Sequence, residues 1–317
     1  MPMPPHAEPG SALRRPDFIG IDWGTSNRRA WLLDVAGEVL ATYRDEQGSL
    51  ACRGRFRAAL EDLLSLWPQA RQVPVVMSGM VGSALGWQEA PYLDAGVPLS
   101  ALPRHLVAVG DAPARARWRI VPGMCWRDAS GRADVMRGEE TQLLGALALA
   151  AGDGWTVLPG THGKWVRLQA GAVSVLRTYL TGELFASLRA QGTLAPLMAV
   201  AADDAGEAFD RGVRALGDEE ISHALFGARA RVMAGGATAA GSAEHVSGLL
   251  IAAEWRDALR RGLPREQPVR LLGEPALVER HARCARHFGC RTETLDPQAA
   301  QHAAWRAFQR ALTEPPR

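Results

Sequence analysis

The chain has 317 residues, 47% hydrophobic and 22% charged, which is ordinary globular usage with length enough for two domains that each have a core. A formal net charge of +2 gives no electrostatic reason to expect nucleic acid or an anionic membrane as partner. Four cysteines (Cys52, Cys125, Cys284, Cys290) show no CxxC or Cys/His ligand spacing and no apolar run reaches membrane-spanning length, so buried thiols in a soluble, cytoplasmic protein are expected.

Residues 1–16 carry five prolines and no apolar h-region, and read as a disordered tail, not a signal peptide. Phe18 to Asp22 then reads as a short apolar strand closed by a carboxylate. Gly24-Thr25-Ser26-Asn27 forms the turn after it, followed by a strand from Arg28 to Leu33 and a third from Glu38 to Tyr43. Gly24 permits a close backbone approach that a side chain would block. Such a turn can cradle phosphate oxygens with its N–H, hydroxyl and amide groups while Asp22 holds a hydrated Mg²⁺. Taken singly, the same residues also describe a tight hairpin with solvated polar side chains.

Leu60, Leu63, Leu64 and Trp67 fall at helical spacing within Arg55 to Trp67. Pro74 to Met77 reads as a buried strand entering the loop Ser78 to Trp87, whose glycines at 79, 82 and 86 do not have GxGxxG spacing. A flexible, hydroxyl-bearing loop at a strand end suits substrate contact, with Gly82, Ser83 and Trp87 as candidates. Pro91 to Pro113 is loop-like, and Trp118 to Val121 is a strand stopped by Pro122-Gly123. From Val135 to Ala146 a strand end, a glycine turn and a helix start succeed one another. Glu139 and Glu140 at that helix start can simply complement the macrodipole. Alternatively, one of them accepts a proton from a substrate hydroxyl while the other holds metal or structure. Arg137 just before them can pair with a substrate carboxylate.

Thr156 to Leu168 repeats the opening pattern of strand, Gly-Thr turn and strand, with Gly160, Thr161 and His162 in the turn. Gly24 and Gly160 lie 136 residues apart, and the next turn repeats as Gly37 and Gly171, 134 apart. Self-similarity at this scale indicates two related halves, and two such hairpins facing each other would clamp a polyphosphate. Of 36 basic residues only Lys164 is lysine. Lys164 lies in the second hairpin, where a compact ammonium suits a phosphate contact, although a single surviving lysine is also compatible with drift.

Val173 to Tyr179 continues the sheet, and Thr181 is a candidate N-cap for the helix that follows. Arg177 and Glu183 are substrate-side candidates or members of structural ion pairs. Residues 196–245 are Ala-rich and helical and offer no chemistry; His223 and His245 read as surface or helix-face residues. Val246 to Arg261 is a helix, and Pro268 to Gly273 a strand ending in glycine. A helix from Pro275 to Phe288, a strand from Arg291 to Leu295 and a final helix from Pro297 to Leu312 complete the chain. Gly273 marks a strand-to-helix step of the kind where α/β folds seat a ligand.

In this order the motifs resemble the phosphate-1, connect-1, phosphate-2, adenosine and connect-2 series of the sugar kinase/Hsp70/actin superfamily. The strings IDWGTSN, VVMSGMVGS with GWQEAPY, VMRGEETQLLGA, LPGTHGKWV and RTYLTGEL are similar to those of 2-dehydro-3-deoxygalactonokinases, across roughly residues 17–312. Two positions depart from that pattern: Glu274 stands where a small hydroxyl residue is usual, and Ala303 where glycine is frequent. The resemblance implies an α/β, two-lobed actin-like ATPase fold, each lobe a ribonuclease H-like mixed sheet with flanking helices. The lobes are expected over 17–150 and 151–317, the second including the final helix.

It further implies ATP-dependent phosphorylation of the 6-hydroxyl of 2-dehydro-3-deoxy-D-galactonate in galactonate catabolism. ATP is then held by Gly24, Thr25, Ser26, Asn27, Gly160, Thr161, His162, Lys164 and Gly273, with Mg²⁺ near Asp22. The sugar acid falls to Gly82, Ser83, Trp87, Arg137 and Arg177. Glu139 is the first choice of general base, because it follows Gly138 where related kinases carry Asp, and Glu140 is the second. Lobe closure on substrate is expected, to exclude water. A non-catalytic nucleotide sensor on the same scaffold, a kinase for a related 2-keto-3-deoxy sugar acid and a dinucleotide-dependent oxidoreductase remain as rival readings. Oligomeric state stays open, with a homodimer as the candidate assembly.

Overall fold

The structure, a computed structural model, describes residues 15–313. The tail expected over 1–16 lies outside them except for its last two residues, and Pro16 already opens the first strand. The chain divides into two compact units: residues 1–153 with 169–174 and 298–317, and residues 154–168 with 175–297.

In the first unit, β1 (Pro16–Trp23), β2 (Arg28–Asp34) and β3 (Val39–Asp45) form an antiparallel meander. β4 (Val75–Gly79) and β7 (Trp118–Ile120) extend it in parallel, and β6 (Val107–Ala108) closes the edge, giving the order β3-β2-β1-β4-β7-β6. Alternate residues of a strand face opposite sides of its sheet. Ile19, Ile21 and Trp23 of β1 accordingly join Leu60, Leu63 and Leu64 of α1 (Phe56–Ser65) in one buried cluster. On the other side Trp305 of α9 (Pro297–Thr313) packs against Phe18 and lies so close to Gly20 that a Cβ there would stand 2.3 Å from its ring. α9 is held to the same hairpin by Gln309, which donates to Asp17 Oδ2 and to the Asp34 carbonyl at 2.7 Å each, and by His302 against the Gly37 carbonyl. The final helix therefore belongs to the first unit and not to the C-terminal half where sequence order puts it.

Two stretches differ from the sequence expectation. The 91–113 region holds β5 (Tyr92–Asp94), a 3-10 turn over Leu99–His105 and β6. Pro122-Gly123 does not stop the sheet structure: Gly123 begins β8 (Gly123–Arg127), which pairs with β5 and with β9 (Ala133–Met136) in a small second sheet. Proline ends β7 because it lacks the N–H that the ladder needs, and the chain re-enters another sheet at once. α2 (Glu139–Ala148) follows, packed onto α9 through Gly145, where an added Cβ would meet the Ala300 carbonyl at 1.7 Å.

The second unit repeats the first sheet's plan. β10 (Gly154–Leu158), β11 (Gly163–Gln169) and β12 (Ala172–Tyr179) form the meander, and β13 (Val269–Leu272) and β14 (Thr292–Leu295) the parallel extension. The order β12-β11-β10-β13-β14 matches β3-β2-β1-β4-β7 strand for strand. Gly37 and Gly171 have φ of 79° and 71°, the left-handed conformation that a tight hairpin asks of glycine. Between β12 and β13 run α3 (Thr181–Ala190), α4 (Ala195–Met198), α5 (Ala205–Leu216), α6 (Ile221–Met233) and α7 (Ser242–Arg260), and α8 (Pro275–His287) follows β13. α5 and α7 approach through Gly212 and Gly248, whose Cβ positions would lie 2.0 and 2.2 Å from the facing His245 and Phe209 carbonyls. Trp155, Val157, Trp165, Val269 and Leu271 bury one face of this sheet against α7 and α8. His245 is not a surface residue as expected but is 3% exposed within α7, and burial pushes its imidazole down to about 4.

Candidate active site

In the first unit the candidate residues gather where the parallel strands β1 and β4 end side by side, with Asp22 opposite Ser78 and Trp23 opposite Gly79. Gly79 has φ 93° and lies against the Trp23 carbonyl and Asp22 Oδ1, with Gly138 (φ 111°) stacked upon it. These two glycines let the β4 end and the α2 start approach each other more closely than side chains would allow. Asp22 and Glu139 thus come within electrostatic reach. Burial raises the Asp22 carboxyl to about 6, the neighbouring Glu139 adds to this, and Arg29 opposes it.

The two glutamates at the α2 start differ in environment. Glu140 is fully buried; its Oε2 accepts from the Gly138 N–H at 2.7 Å and its Oε1 from the Thr141 hydroxyl at 3.3 Å, beside a Ser78–Thr141 hydroxyl pair at 2.7 Å. Burial, then the charge of Glu139, push its carboxyl up to about 7. Glu139 is half-buried and one of its oxygens accepts the Arg137 N–H at 3.0 Å.

The Gly24 to Asn27 turn closes with Gly24 N–H donating to the Asn27 carbonyl at 2.9 Å. The Gly24 and Thr25 carbonyls accept from Ser49 and Leu50 N–H at 2.9 and 3.2 Å. The N–H groups of Thr25, Ser26 and Asn27 make no backbone hydrogen bond among the described residues, which leaves them as donors for an anion. The substrate-loop candidates turn out to be differently employed. The Ser83 hydroxyl donates to the Met80 carbonyl, and Trp87 stacks on Phe56 with ring centroids 6.3 Å apart. Gly82 lies against Arg137, whose guanidinium donates to the Ala90 carbonyl at 2.7 Å and sits 4.4 Å over the Tyr92 ring. Arg137 Nε and Nη1 are buried without a hydrogen-bond partner among the described residues.

In the second unit the Pro159 to His162 turn rests on the start of α3. Glu183 N–H donates to the Thr161 carbonyl at 3.0 Å, and Glu183 Oε2 pairs with His162 Nε2. Thr181 is not the N-cap; it is the first helical residue, Leu180 takes the cap position, and the Thr181 hydroxyl bonds to Glu254. Lys164, 6% exposed, donates from Nζ to Thr178 Oγ1 at 2.9 Å. Arg177 is half-buried on β12 beside Tyr179. Gly273 packs on Pro159, so the β13–α8 step and the turn are adjacent. Beside them opens a cavity of about 470 Å³ between α3, α7 and α8, lined among others by Gly160, Ser247, Glu254, Arg280 and His281. Its size suits a nucleoside-sized ligand. Glu254 is 1% exposed and accepts from Trp165 Nε1 at 2.7 Å; burial raises its carboxyl to about 7. Sequence reading passed over Glu254, Arg280 and His281 because each stands within an otherwise ordinary helical pattern.

Two sheets of one strand order, each with a Gly-Thr turn at its strand ends, define an actin-like ATPase fold of the sugar-kinase type. The same fold is seen in the crystal structure of (R)-2-hydroxyglutaryl-CoA dehydratase component A from Acidaminococcus fermentans, at 12% identity and a TM-score of 0.51 over 93% of this chain and 99% of that one. A sequence model of the 2-keto-3-deoxy-galactonokinase family matches residues 22–308. The 2-dehydro-3-deoxygalactonokinase of Escherichia coli K12 is 34% identical over 297 residues, 93% of this chain and 98% of the relative. A crystal structure of a Sinorhizobium meliloti protein, provisionally named a 2-dehydro-3-deoxygalactonokinase, aligns over 93% of this chain and 99% of its own at 32% identity, with a TM-score of 0.85. The chain belongs to the 2-keto-3-deoxy-galactonokinase family.

Proposed function

We propose that the chain is an ATP-dependent kinase that phosphorylates the 6-hydroxyl of 2-dehydro-3-deoxy-D-galactonate, yielding 2-dehydro-3-deoxy-6-phosphogalactonate in cytoplasmic galactonate catabolism. Beyond family membership, the observation that carries this reading is the convergence of Asp22 and Glu139 at the β1 and β4 ends, beside a turn with outward N–H donors.

Glu139 serves as the general base. One oxygen is fixed by the Arg137 N–H, and its half-buried carboxylate takes the proton of the 6-hydroxyl as that oxygen attacks the γ-phosphorus and ADP leaves. Glu140 is sealed from substrate and holds the α2 start in place through Gly138. Asp22 fits a Mg²⁺ site, since Mg²⁺ takes one or two carboxylates together with phosphate oxygens and water, and a second acid already raises the local negative charge. Bound there, the ion would neutralise charge on the β- and γ-phosphates. The Thr25 to Asn27 amides, Gly160 to His162 and the Lys164 ammonium supply further donors to the phosphates. The cavity beside Gly273 takes the nucleoside. Arg137 is the contact for the sugar-acid carboxylate, with two N–H donors unfilled by the protein.

A coupled ADP-release assay across galactonate- and gluconate-derived 2-keto-3-deoxy acids, with gluconate and glycerol as controls, tests the reading. Turnover with the galactonate-derived acid above the others supports it. A preference for a different keto acid moves the substrate, and thermal protection by NAD(P) instead of ATP ends the kinase reading.

A further inference from the structure

The repeat that joins the two halves extends to a pair of glycines that no motif marks. Gly48 follows the end of β3 by three residues, Gly182 follows the end of β12 by three, and they lie 134 positions apart, the same spacing as Gly37 and Gly171. Each presses its Cα against the back of the Gly-Thr turn of its own unit. A Cβ at Gly48 would stand 2.3 Å from the Thr25 carbonyl oxygen and 2.4 Å from the Ser26 carbonyl carbon. A Cβ at Gly182 would stand 2.4 Å from the Gly160 carbonyl oxygen and 2.8 Å from the Thr161 Cα. All four obstacles are backbone atoms, so no rotamer change relieves them.

The residues just after each glycine complete the contact. Ser49 and Leu50 donate their N–H groups to the Gly24 and Thr25 carbonyls, and Glu183 donates to the Thr161 carbonyl. A peptide plane carries its C=O and the next N–H on opposite sides. Engaging the carbonyls from behind therefore turns the amides that follow toward the opposite side. We infer that Gly48 and Gly182 are positioning residues of a duplicated brace that aims the amide dipoles of both turns at the nucleotide's phosphates. Neither glycine takes a left-handed φ, so the requirement is for closeness and not for conformation. The inference rests on the kinase reading only for the identity of the anion.

The variants Gly48→Ala and Gly182→Ala test the brace against Gly145→Ala and Gly212→Ala, which introduce equally severe backbone collisions at 1.7 and 2.0 Å but between helices away from the turns. In the folded protein that each variant yields, the first pair should raise the ATP dissociation constant and KM by roughly tenfold to hundredfold, since small misplacements of binding groups cost about that much. The second pair should lower thermal stability and leave ATP affinity at the wild-type value. Equal ATP affinity in all four variants overturns the inference. Amide hydrogen exchange on the wild-type protein covers the case in which a brace variant does not fold. Ser49, Leu50 and Glu183 should be protected with and without a non-hydrolysable ATP analogue, and Thr25 to Asn27 only with it. Rapid exchange at Ser49 and Glu183 in both states overturns the brace. Protection there with no response of Thr25 to Asn27 to the analogue upholds the brace and counts against ATP as the ligand.

Discussion

Replacing Glu140 by Gln isolates the effect of burying an acid beneath the catalytic helix. Folding carries this carboxyl from an ordinary 4.5 to about 7, chiefly by removing it from water. The folded value lies above the unfolded one, so its contribution is fully present below pH 4.5 and is lost as pH rises through 7. The difference corresponds to roughly 3 kcal/mol at about 1.36 kcal/mol for each tenfold change in proton affinity. Glutamine keeps the hydrogen bonds: its carbonyl accepts from Gly138 N–H, and its amide donates to the Ser78 and Thr141 hydroxyls that surround the site. Urea unfolding of both proteins, followed by tryptophan fluorescence at pH 5, 6, 7 and 8, gives the comparison. The variant's stability relative to wild type should climb through this window by the order of 3 kcal/mol and level off above it. A difference that stays flat with pH, or falls, would refute the assignment of a buried neutral acid at this position. Asp22 and Glu254, whose carboxyls are also raised, titrate in both proteins and cancel.

Glu139→Gln should keep the fold and lower kcat by about 10²- to 10⁴-fold, with KM for ATP nearly unchanged; a smaller loss than that of Glu140→Gln in the ADP-release assay would reverse their roles. Asp22→Asn should raise the Mg²⁺ concentration needed for half-maximal activity at least about tenfold, and EDTA should abolish wild-type turnover until Mg²⁺ is restored. For Lys164→Met, loss of a charged hydrogen-bond donor worth about 1.5–3 kcal/mol should raise KM for ATP by roughly 10- to 150-fold; an unchanged value would remove Lys164 from the phosphate site. Gly20→Ala forces a methyl group into the Trp305 ring, which Phe18, Trp31 and Phe308 hold in place. It should cost about 1–3 kcal/mol or more in thermal unfolding while leaving ATP affinity intact.

Much of the first half-site could be read from residue order, because its signals are local. A short apolar strand ending in Asp22, and glycine with hydroxyl residues after it, describe a turn wherever they occur. Its recurrence at Gly160 fixes the expectation of two halves. The small sheet of β5, β8 and β9 was not readable in this way. Its strands are three to five residues long, too short for a period to emerge, and Pro122-Gly123 reads as an end although it is a passage between sheets. His245 and Glu254 likewise look like ordinary polar positions on a helix until packing removes them from water.

Sequence by itself determined the order of the elements, the duplicated hairpins and the residue types that phosphoryl transfer requires, since each of these is written in neighbouring residues. Tertiary structure alone decided which of the paired glutamates remains in contact with solvent, that the last helix serves the first sheet, and that Gly48 and Gly182 stand behind the turns. Burial and close approach are created by residues far apart in the chain, and no local pattern carries them.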